Sequence, residues 1–182
     1  TGHGEWEDSG GASTAPEGFT TPEPPEGLAQ RLQAVRERLT AAARTAGRAP
    51  EEIRLIAISK YHPAETLRSL ALAGQQDFGE NYVQEALAKQ EELEPLPLAW
   101  HFTGKLQSNK AKYVVGRFAL IQTVDSMKLA QALHKQWLSR CRPTDTAAQE
   151  AGTESQGADC RQGILLQVKT TEREDRAGLD QE

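Results

Sequence analysis

The chain has 182 residues and a formal net charge of −5, which allows one domain with a hydrophobic core. This acidic balance excludes a general electrostatic attraction to nucleic acid or to an anionic membrane. No apolar run approaches the roughly 20 residues of a membrane-spanning helix, and the first residues do not resemble a signal segment. We therefore expect a cytoplasmic protein, and a monomer, that binds neither nucleic acid nor membrane.

The two cysteines give no indication of a metal site. Cys141 and Cys160 form no CxxC pair, and no histidine lies near them at ligand spacing. A structural zinc site is therefore not expected, and no metal ligands are predicted elsewhere. Two free thiols are the simplest interpretation, with a disulfide between the two cysteines as the alternative.

The composition divides the chain into a leader and one domain. Residues 1–25 are rich in Gly, Pro, Ser, Thr and Glu without an apolar period, which predicts a disordered leader. The domain is expected over residues 26–182, with a polar insertion at about 142–162. The chain begins at Thr1 and has no closing element before its last residue, so we expect a fragment.

Helical and strand-like segments alternate from Leu28 onwards. Apolar residues recur at helical spacing from Leu28, and Gly47 and Pro50 end this first predicted helix. The predicted strands are IRLIAIS (53–59), QDFGE (76–80), LAWHFTG (98–104), FALIQTVD (118–125) and GILLQVKT (163–170), separated by predicted helices at 63–74, 81–93, 107–116 and 126–140. This alternation is typical of right-handed βαβ units and a parallel sheet.

Two architectures share such a sheet: an open doubly wound sheet and an eight-stranded (β/α)8 barrel. The glycine-rich phosphate turn that usually follows the first strand of a doubly wound sheet is absent. In a barrel, functional groups lie at the carboxyl ends of several strands. Four predicted strands do end in polar or small residues, at 59–60, 79–81, 101–104 and 123–126. The pattern favours an α/β fold of the barrel type, incomplete here, with about five of the eight strands.

Lys60 ends the first apolar strand and has two interpretations. It can extend its ammonium group to solvent at the rim of the sheet, as many lysines do. Alternatively, it is a reactive amine, because a desolvated lysine holds more of the neutral form that attacks an aldehyde. Its position at the carboxyl end of a strand is compatible with both.

Five sequence blocks resemble the pyridoxal phosphate homeostasis protein family. They are, in order, SKYHPAE, DFGENYVQEALAKQ, WHFTGKLQSNKAKYVV, TVDSMKLA and LLQVKT. The resemblance implies a barrel of pyridoxal-phosphate fold type III, like the N-terminal domain of alanine racemases. It also implies that Lys60 holds pyridoxal 5'-phosphate as an aldimine, in a cofactor carrier without established turnover that serves pyridoxal phosphate homeostasis and supplies apo-enzymes. A racemase-like enzyme on the same barrel is the alternative.

Two further positions match the family pocket. Asn81 corresponds to the asparagine of its GENY block and is predicted to bind the cofactor ring oxygen, with a helix N-cap as the alternative. His101 matches a family histidine on the third strand and is predicted to bind the cofactor, with a core histidine as the alternative. A basic cluster at residues 105–117 is expected to be a solvated helix face, and weak phosphate or RNA contact is its alternative.

The chain departs from the family at three points. Arg176 stands where members carry a lysine, and an arginine cannot form or relay an imine, so the effect on any transfer step is open. Lys169 adds an amine near the same rim. The family's phosphate-binding loops follow later strands that this sequence does not contain, so we expect this chain to bind the cofactor weakly or not at all.

Overall fold

A computed structural model describes residues 27–140, 161–170 and 178–179. The predicted leader, most of the predicted insertion, both cysteines and Arg176 lie outside the described residues. In this described part of the chain, five α-helices and five strands alternate: α1 Leu28–Thr45, β1 Ala57–Ile58, α2 Ala64–Leu72, β2 Asp77–Glu80, α3 Val83–Glu92, β3 Ala99–Phe102, α4 Ala111–Val114, β4 Leu120–Val124, α5 Met127–Arg140 and β5 Gly163–Leu166.

The five strands form one parallel sheet in the order β1-β2-β3-β4-β5. Each strand lies beside the strand that precedes it in the chain, so every crossover steps in the same direction. A doubly wound sheet instead reverses its strand order at a switch point, whereas a barrel wall keeps one direction. The predicted α/β class with a parallel sheet is confirmed, and the sheet forms five strands of a barrel-type wall.

The hydrophobic core lies between one face of the sheet and helices α2 to α5. Alternate strand residues project to this face, because successive side chains of a strand point to opposite sides. Its fully or almost fully buried members include Phe78, Phe102 and Ile121 from the strands and Leu67, Ala86, Val114 and Leu129 from the helices. Burial of one large apolar side chain contributes about 1.5–3 kcal/mol, so this layer fixes the helices on the sheet.

The two outer strands are shorter than predicted. β1 covers only Ala57–Ile58, because it pairs with β2 alone among the described strands and residues 53–56 have no ladder partner there. β5 ends at Leu166 rather than at residue 170, and Val168 then forms a separate bridge with Leu179. The predicted helix 107–116 divides into a 3-10 turn, Ser108–Lys110, and the short helix α4.

The described part of the chain contains neither a membrane-spanning helix nor a metal-binding cluster. None of its helices combines the length and the apolar character that crossing a membrane requires. Within residues 27–140, 161–170 and 178–179, no three His, Cys, Asp or Glu side chains come close enough together to hold a metal ion.

The loops after β2 and β3 approach each other closely at Gly104. A Cβ atom at this position would overlap the backbone of Asn81, including its carbonyl oxygen. Backbone atoms cannot move aside as a flexible side chain can, so the close approach requires glycine. The two loops are therefore held in contact at the carboxyl edge of the sheet.

Overpacking a folded protein usually costs about 1–3 kcal/mol. We expect Gly104→Ala to lower the free energy of unfolding by more than about 2 kcal/mol, because the added Cβ would meet backbone atoms, which cannot move aside. Gly47→Ala is the control, because Gly47 has a φ of 68° and no atom lies within 4 Å of the added Cβ. Gly47→Ala should lower the free energy of unfolding by about 1 kcal/mol, the cost of the left-handed conformation alone. Urea denaturation measures both variants. An equal decrease in the free energy of unfolding for both variants would show that the backbone of Asn81 leaves room for a Cβ atom at position 104.

Candidate functional site

Lys60 lies in the turn that follows β1, at the carboxyl edge of the sheet. The backbone N–H of His62 donates to the carbonyl oxygen of Ser59 at 3.1 Å, which closes the turn around Lys60. The Lys60 side chain is half-buried, and its Nζ lies 5.8 Å from the centroid of the Tyr61 ring. This is a cation–π distance. The structure therefore places the predicted amine at the edge where barrel proteins carry their functional groups.

Tyr61 links the turn after β1 to the turn after β2. Its ring centroid lies 5.4 Å from that of Tyr82, and the two hydroxyl groups form a short hydrogen bond. The hydrogen bond with Tyr82 raises the pKa of the Tyr61 hydroxyl above its ordinary value. Because Tyr61 follows Lys60 and Tyr82 follows Asn81, the ring pair connects the two loops that carry the predicted cofactor residues.

Tyr61 also has a backbone conformation that is unusual for a residue with a side chain. Its φ is 65°, in the left-handed region that costs L-residues about 1–2 kcal/mol. The backbone N–H of Tyr61 donates to Glu85 Oε1 at 2.6 Å. A hydrogen bond to a carboxylate is strong enough to offset this backbone strain, so Glu85 stabilises the conformation of the turn next to Lys60.

Asn81 lies at the same edge as Lys60, one strand away. Its Oδ1 accepts a hydrogen bond from Thr103 Oγ1 at 2.8 Å. Helix α3 begins at Val83 with Tyr82 as its N-cap residue, so Asn81 does not cap the helix. Within the described residues, no hydrogen bond engages the amide nitrogen of Asn81, which is the donor that the cofactor role requires. That role stays a prediction.

His101 lies deeper in the sheet than Lys60 and Asn81. Only 1% of its surface is exposed. Its Nε2 is 2.8 Å from Asp77 Oδ1, and its Nδ1 is 3.3 Å from Gln122 Nε2. The amide nitrogen of Gln122 can only donate, so His101 Nδ1 accepts this hydrogen bond, and Nε2 carries the ring proton that it donates to Asp77. These contacts match the core-histidine alternative, and cofactor binding by His101 stays a prediction.

The structure reveals a buried polar cluster that the sequence interpretation missed. We call it the Glu80 cluster; it contains Ser59, Glu80, Glu85 and Lys89. Lys89 Nζ donates to Glu80 Oε1, to Glu85 Oε1 and to the carbonyl oxygen of Ser59, each at 2.7 Å. Ser59 Oγ also donates to Glu80 Oε1 at 2.7 Å. The cluster joins β1, β2 and α3 directly beside Lys60.

One signal in the sequence points to this cluster. Lys89 lies three residues after Ala86, in line with Val83 on the apolar stripe of α3. A lysine at a buried helix position needs a partner, because an unpaired buried charge is unstable. Only 6% of Lys89 is exposed, and Glu80 is fully buried. The carboxylate that pairs with Lys89 could have been sought on the neighbouring strand.

Burial changes the acid–base behaviour of Glu80. Desolvation raises the pKa of this carboxyl group above its ordinary value, although hydrogen bonds from Lys89 and Ser59 oppose the shift. Glu80 Oε2 is buried and has no hydrogen-bond partner among the described residues. A proton is therefore retained by Glu80 at a higher pH than by an exposed glutamate.

A lysine-lined cavity opens at the same edge of the sheet, beside the later strands. Its volume is about 660 Å³, and residues from the loops after β3, β4 and β5 line it. Three of these lining residues are lysines: Lys105, Lys128 and Lys169. The structure thus places Lys169, the added amine, in a cavity at the carboxyl edge of the sheet.

Comparisons with known proteins identify relatives of the chain. The pyridoxal phosphate homeostasis protein of Pseudomonas aeruginosa is 47% identical over 109 residues, which are 60% of this chain and 47% of that protein. The protein of the same name from Escherichia coli K12 is 42% identical over 125 residues, 67% of this chain and 53% of that protein. The chain is similar to these pyridoxal phosphate homeostasis proteins over about half of their length. The resemblance predicted from the five sequence blocks is confirmed.

A solved structure supports the same relationship. PipY of Synechococcus elongatus, determined with pyridoxal phosphate bound, matches with a TM-score of 0.63 and 39% identity. The match covers 84% of this chain and 58% of PipY. No family model matches the chain. The chain spans about half the length of the curated homeostasis proteins described above.

We expect Glu80→Gln to remove a pH dependence of stability. Since the folded state raises the pKa of Glu80, it binds the proton more tightly than the unfolded state does. Stability from this group is then present below the ordinary glutamate pKa of about 4.3 and declines as pH rises towards the folded value. The free energy of unfolding of the variant relative to the wild type should therefore increase with pH across this window.

Urea denaturation at a series of pH values from about 4 to 8 measures this difference. Glu91→Gln, which changes an exposed carboxylate of α3, controls for the loss of one negative charge. A difference between wild type and Glu80→Gln that is constant with pH would contradict the predicted shift.

Proposed function

We propose that this protein binds pyridoxal 5'-phosphate covalently through Lys60 and acts as a carrier of the cofactor in pyridoxal phosphate homeostasis. One observation supports Lys60 in particular. Two lysines lie beside the end of β1, and Lys89 is engaged by three oxygen acceptors and buried. Lys60 is half-buried and makes only a cation–π contact among the interactions of the described residues. It is the amine that can react.

The residues at this edge fit the cofactor's chemistry. Pyridoxal phosphate supplies an aldehyde that condenses reversibly with a primary amine. Lys60 offers such an amine, and Asn81 offers an amide donor on the neighbouring strand for an oxygen of the ring. Tyr61 and Tyr82 provide aromatic surface between these two positions. Reversible attachment with no further reaction suits a protein that stores the cofactor and releases it.

We further propose that the carrier is not an enzyme and acts in the cytoplasm as a monomer. Apo-enzymes that depend on pyridoxal phosphate would receive the cofactor from it. The names of the curated relatives support a role in homeostasis. The match covers 47% and 53% of the length of these two relatives, so the carrier role and the recipients are part of this proposal. Racemisation of alanine by the purified protein would instead support the racemase-like alternative.

We expect Lys60→Ala to abolish specific attachment of pyridoxal phosphate, because Lys89, the other described lysine beside the end of β1, is held by three oxygen acceptors. Borohydride reduction of the protein mixed with the cofactor traps the covalent product, and peptide mass spectrometry locates it. Lys105→Ala is the matched control, since it removes an exposed lysine from the loop after β3, at the same edge of the sheet.

The wild type and Lys105→Ala should carry the modification on the peptide that contains Lys60. The absorbance of the imine should disappear in Lys60→Ala and persist in the control. A Lys60→Ala protein that forms the adduct to the same extent as the wild type would exclude Lys60 as the attachment site.

A further inference from the structure

We propose that the Glu80 cluster positions Lys60 by fixing the backbone on both sides of it. This inference rests on the proposed function of Lys60 and assigns positioning roles to Glu85 and Lys89. The cluster does not touch the cofactor in this proposal. It acts through the turn that carries the reactive amine.

Hydrogen bonds hold the backbone of the turn on both sides of Lys60. On the N-terminal side of Lys60, the Ser59 carbonyl oxygen accepts a hydrogen bond from Lys89 Nζ at 2.7 Å. Ser59 N–H also donates to the carbonyl oxygen of Gly79 at 2.9 Å. On the C-terminal side, Tyr61 N–H donates to Glu85 Oε1 at 2.6 Å. Lys60 thus lies between two residues whose backbones are both bound to the cluster.

Glu85 is the member that connects the two sides. Its Oε1 accepts from Tyr61 N–H and also from Lys89 Nζ, which in turn donates to Ser59. Removal of this carboxylate would separate the Tyr61 side of the turn from the Ser59 side. Glu85 is also only partly buried, with 25% of its side chain exposed. It can therefore be replaced with less risk to folding than Glu80 or Lys89.

Tyr61 is a strained residue in the turn. Tyr61 has a φ of 65°, which an L-residue adopts only when its surroundings hold it there. The hydrogen bond to Glu85 is one such restraint, and the ring contact with Tyr82 is another. Without Glu85, the turn can relax towards negative φ, which would rotate the adjoining peptide and change the direction of Lys60.

Burial shields the hydrogen bonds of the Glu80 cluster from water. Glu80 is fully buried and 7% of the Lys89 side chain is exposed, so water does not compete for their hydrogen bonds. Charged groups in such surroundings keep their partners and geometry. The three acceptors around Lys89 Nζ also prevent it from acting as a second reactive amine. The cluster is a rigid support rather than an alternative attachment site.

The test compares Glu85→Ala with Glu85→Gln. The alanine variant removes the acceptor of Tyr61 N–H, whereas the glutamine variant keeps an oxygen in the same place. Glu91→Ala is the control, because Glu91 is an exposed residue of the same helix. Circular dichroism and urea denaturation establish that each variant is folded before the rate of adduct formation on Lys60 is measured.

We expect Glu85→Ala to slow adduct formation with pyridoxal phosphate by about tenfold, since small errors in the placement of a reacting group produce losses of this size or more. Glu85→Gln should restore the rate to within about threefold of the wild type, and Glu91→Ala should not change it. A folded Glu85→Ala protein that reacts at the wild-type rate, with only a lower urea midpoint, would overturn the positioning role.

A second measurement separates this inference from the proposed function. Hydrogen exchange of the Tyr61 amide, measured without cofactor, should be faster in Glu85→Ala than in the wild type and in Glu91→Ala. Unchanged exchange would overturn the inference even if Lys60 is the attachment site. A wild-type protein that forms no adduct on Lys60 would overturn the proposed function, and faster exchange in Glu85→Ala would still support Glu85 as the residue that holds the turn.

Discussion

The interaction on which the candidate site depends is the buried ion pair between Lys89 and Glu80. It joins a helix to two strands, because Lys89 lies on α3, Glu80 ends β2, and both bind Ser59 after β1. Removing one partner of a buried pair typically costs about 3–5 kcal/mol, since the other charge is left without compensation. The pair therefore fixes the relative position of the elements that present Lys60.

The sheet topology brings the other site residues to the same edge. Each strand lies beside its predecessor, so the loops after β1 and β2 are neighbours and Lys60 lies near Asn81. The Tyr61 and Tyr82 rings then connect these loops at their surface, while the Glu80 cluster connects them from below. A reactive amine gains a defined direction from such support on two sides, which a flexible lysine at a strand end would lack.

Sequence patterns were sufficient for the features that depend on local order. The alternation of apolar strands and amphipathic helices predicted the parallel sheet, and strand ends predicted where Lys60 and Asn81 lie. Sequence patterns failed for features that depend on contacts between residues far apart in the chain. Lys89, four residues after Glu85, has the spacing of a solvated helical ion pair, and its burial depends on Glu80. The hydrogen bonds of His101 depend on two neighbouring strands, and the length of β1 depends on its pairing partners.

The central claim is that Lys60 is the cofactor-binding amine at an edge organised by the Glu80 cluster. A crystal structure of the protein with pyridoxal phosphate tests it most directly. The claim predicts continuous electron density from Lys60 Nζ to the cofactor, with Lys89 Nζ still bound to Glu80, Glu85 and the Ser59 carbonyl oxygen. Density that joins the cofactor instead to Lys105, Lys128 or Lys169 in the neighbouring cavity would contradict it.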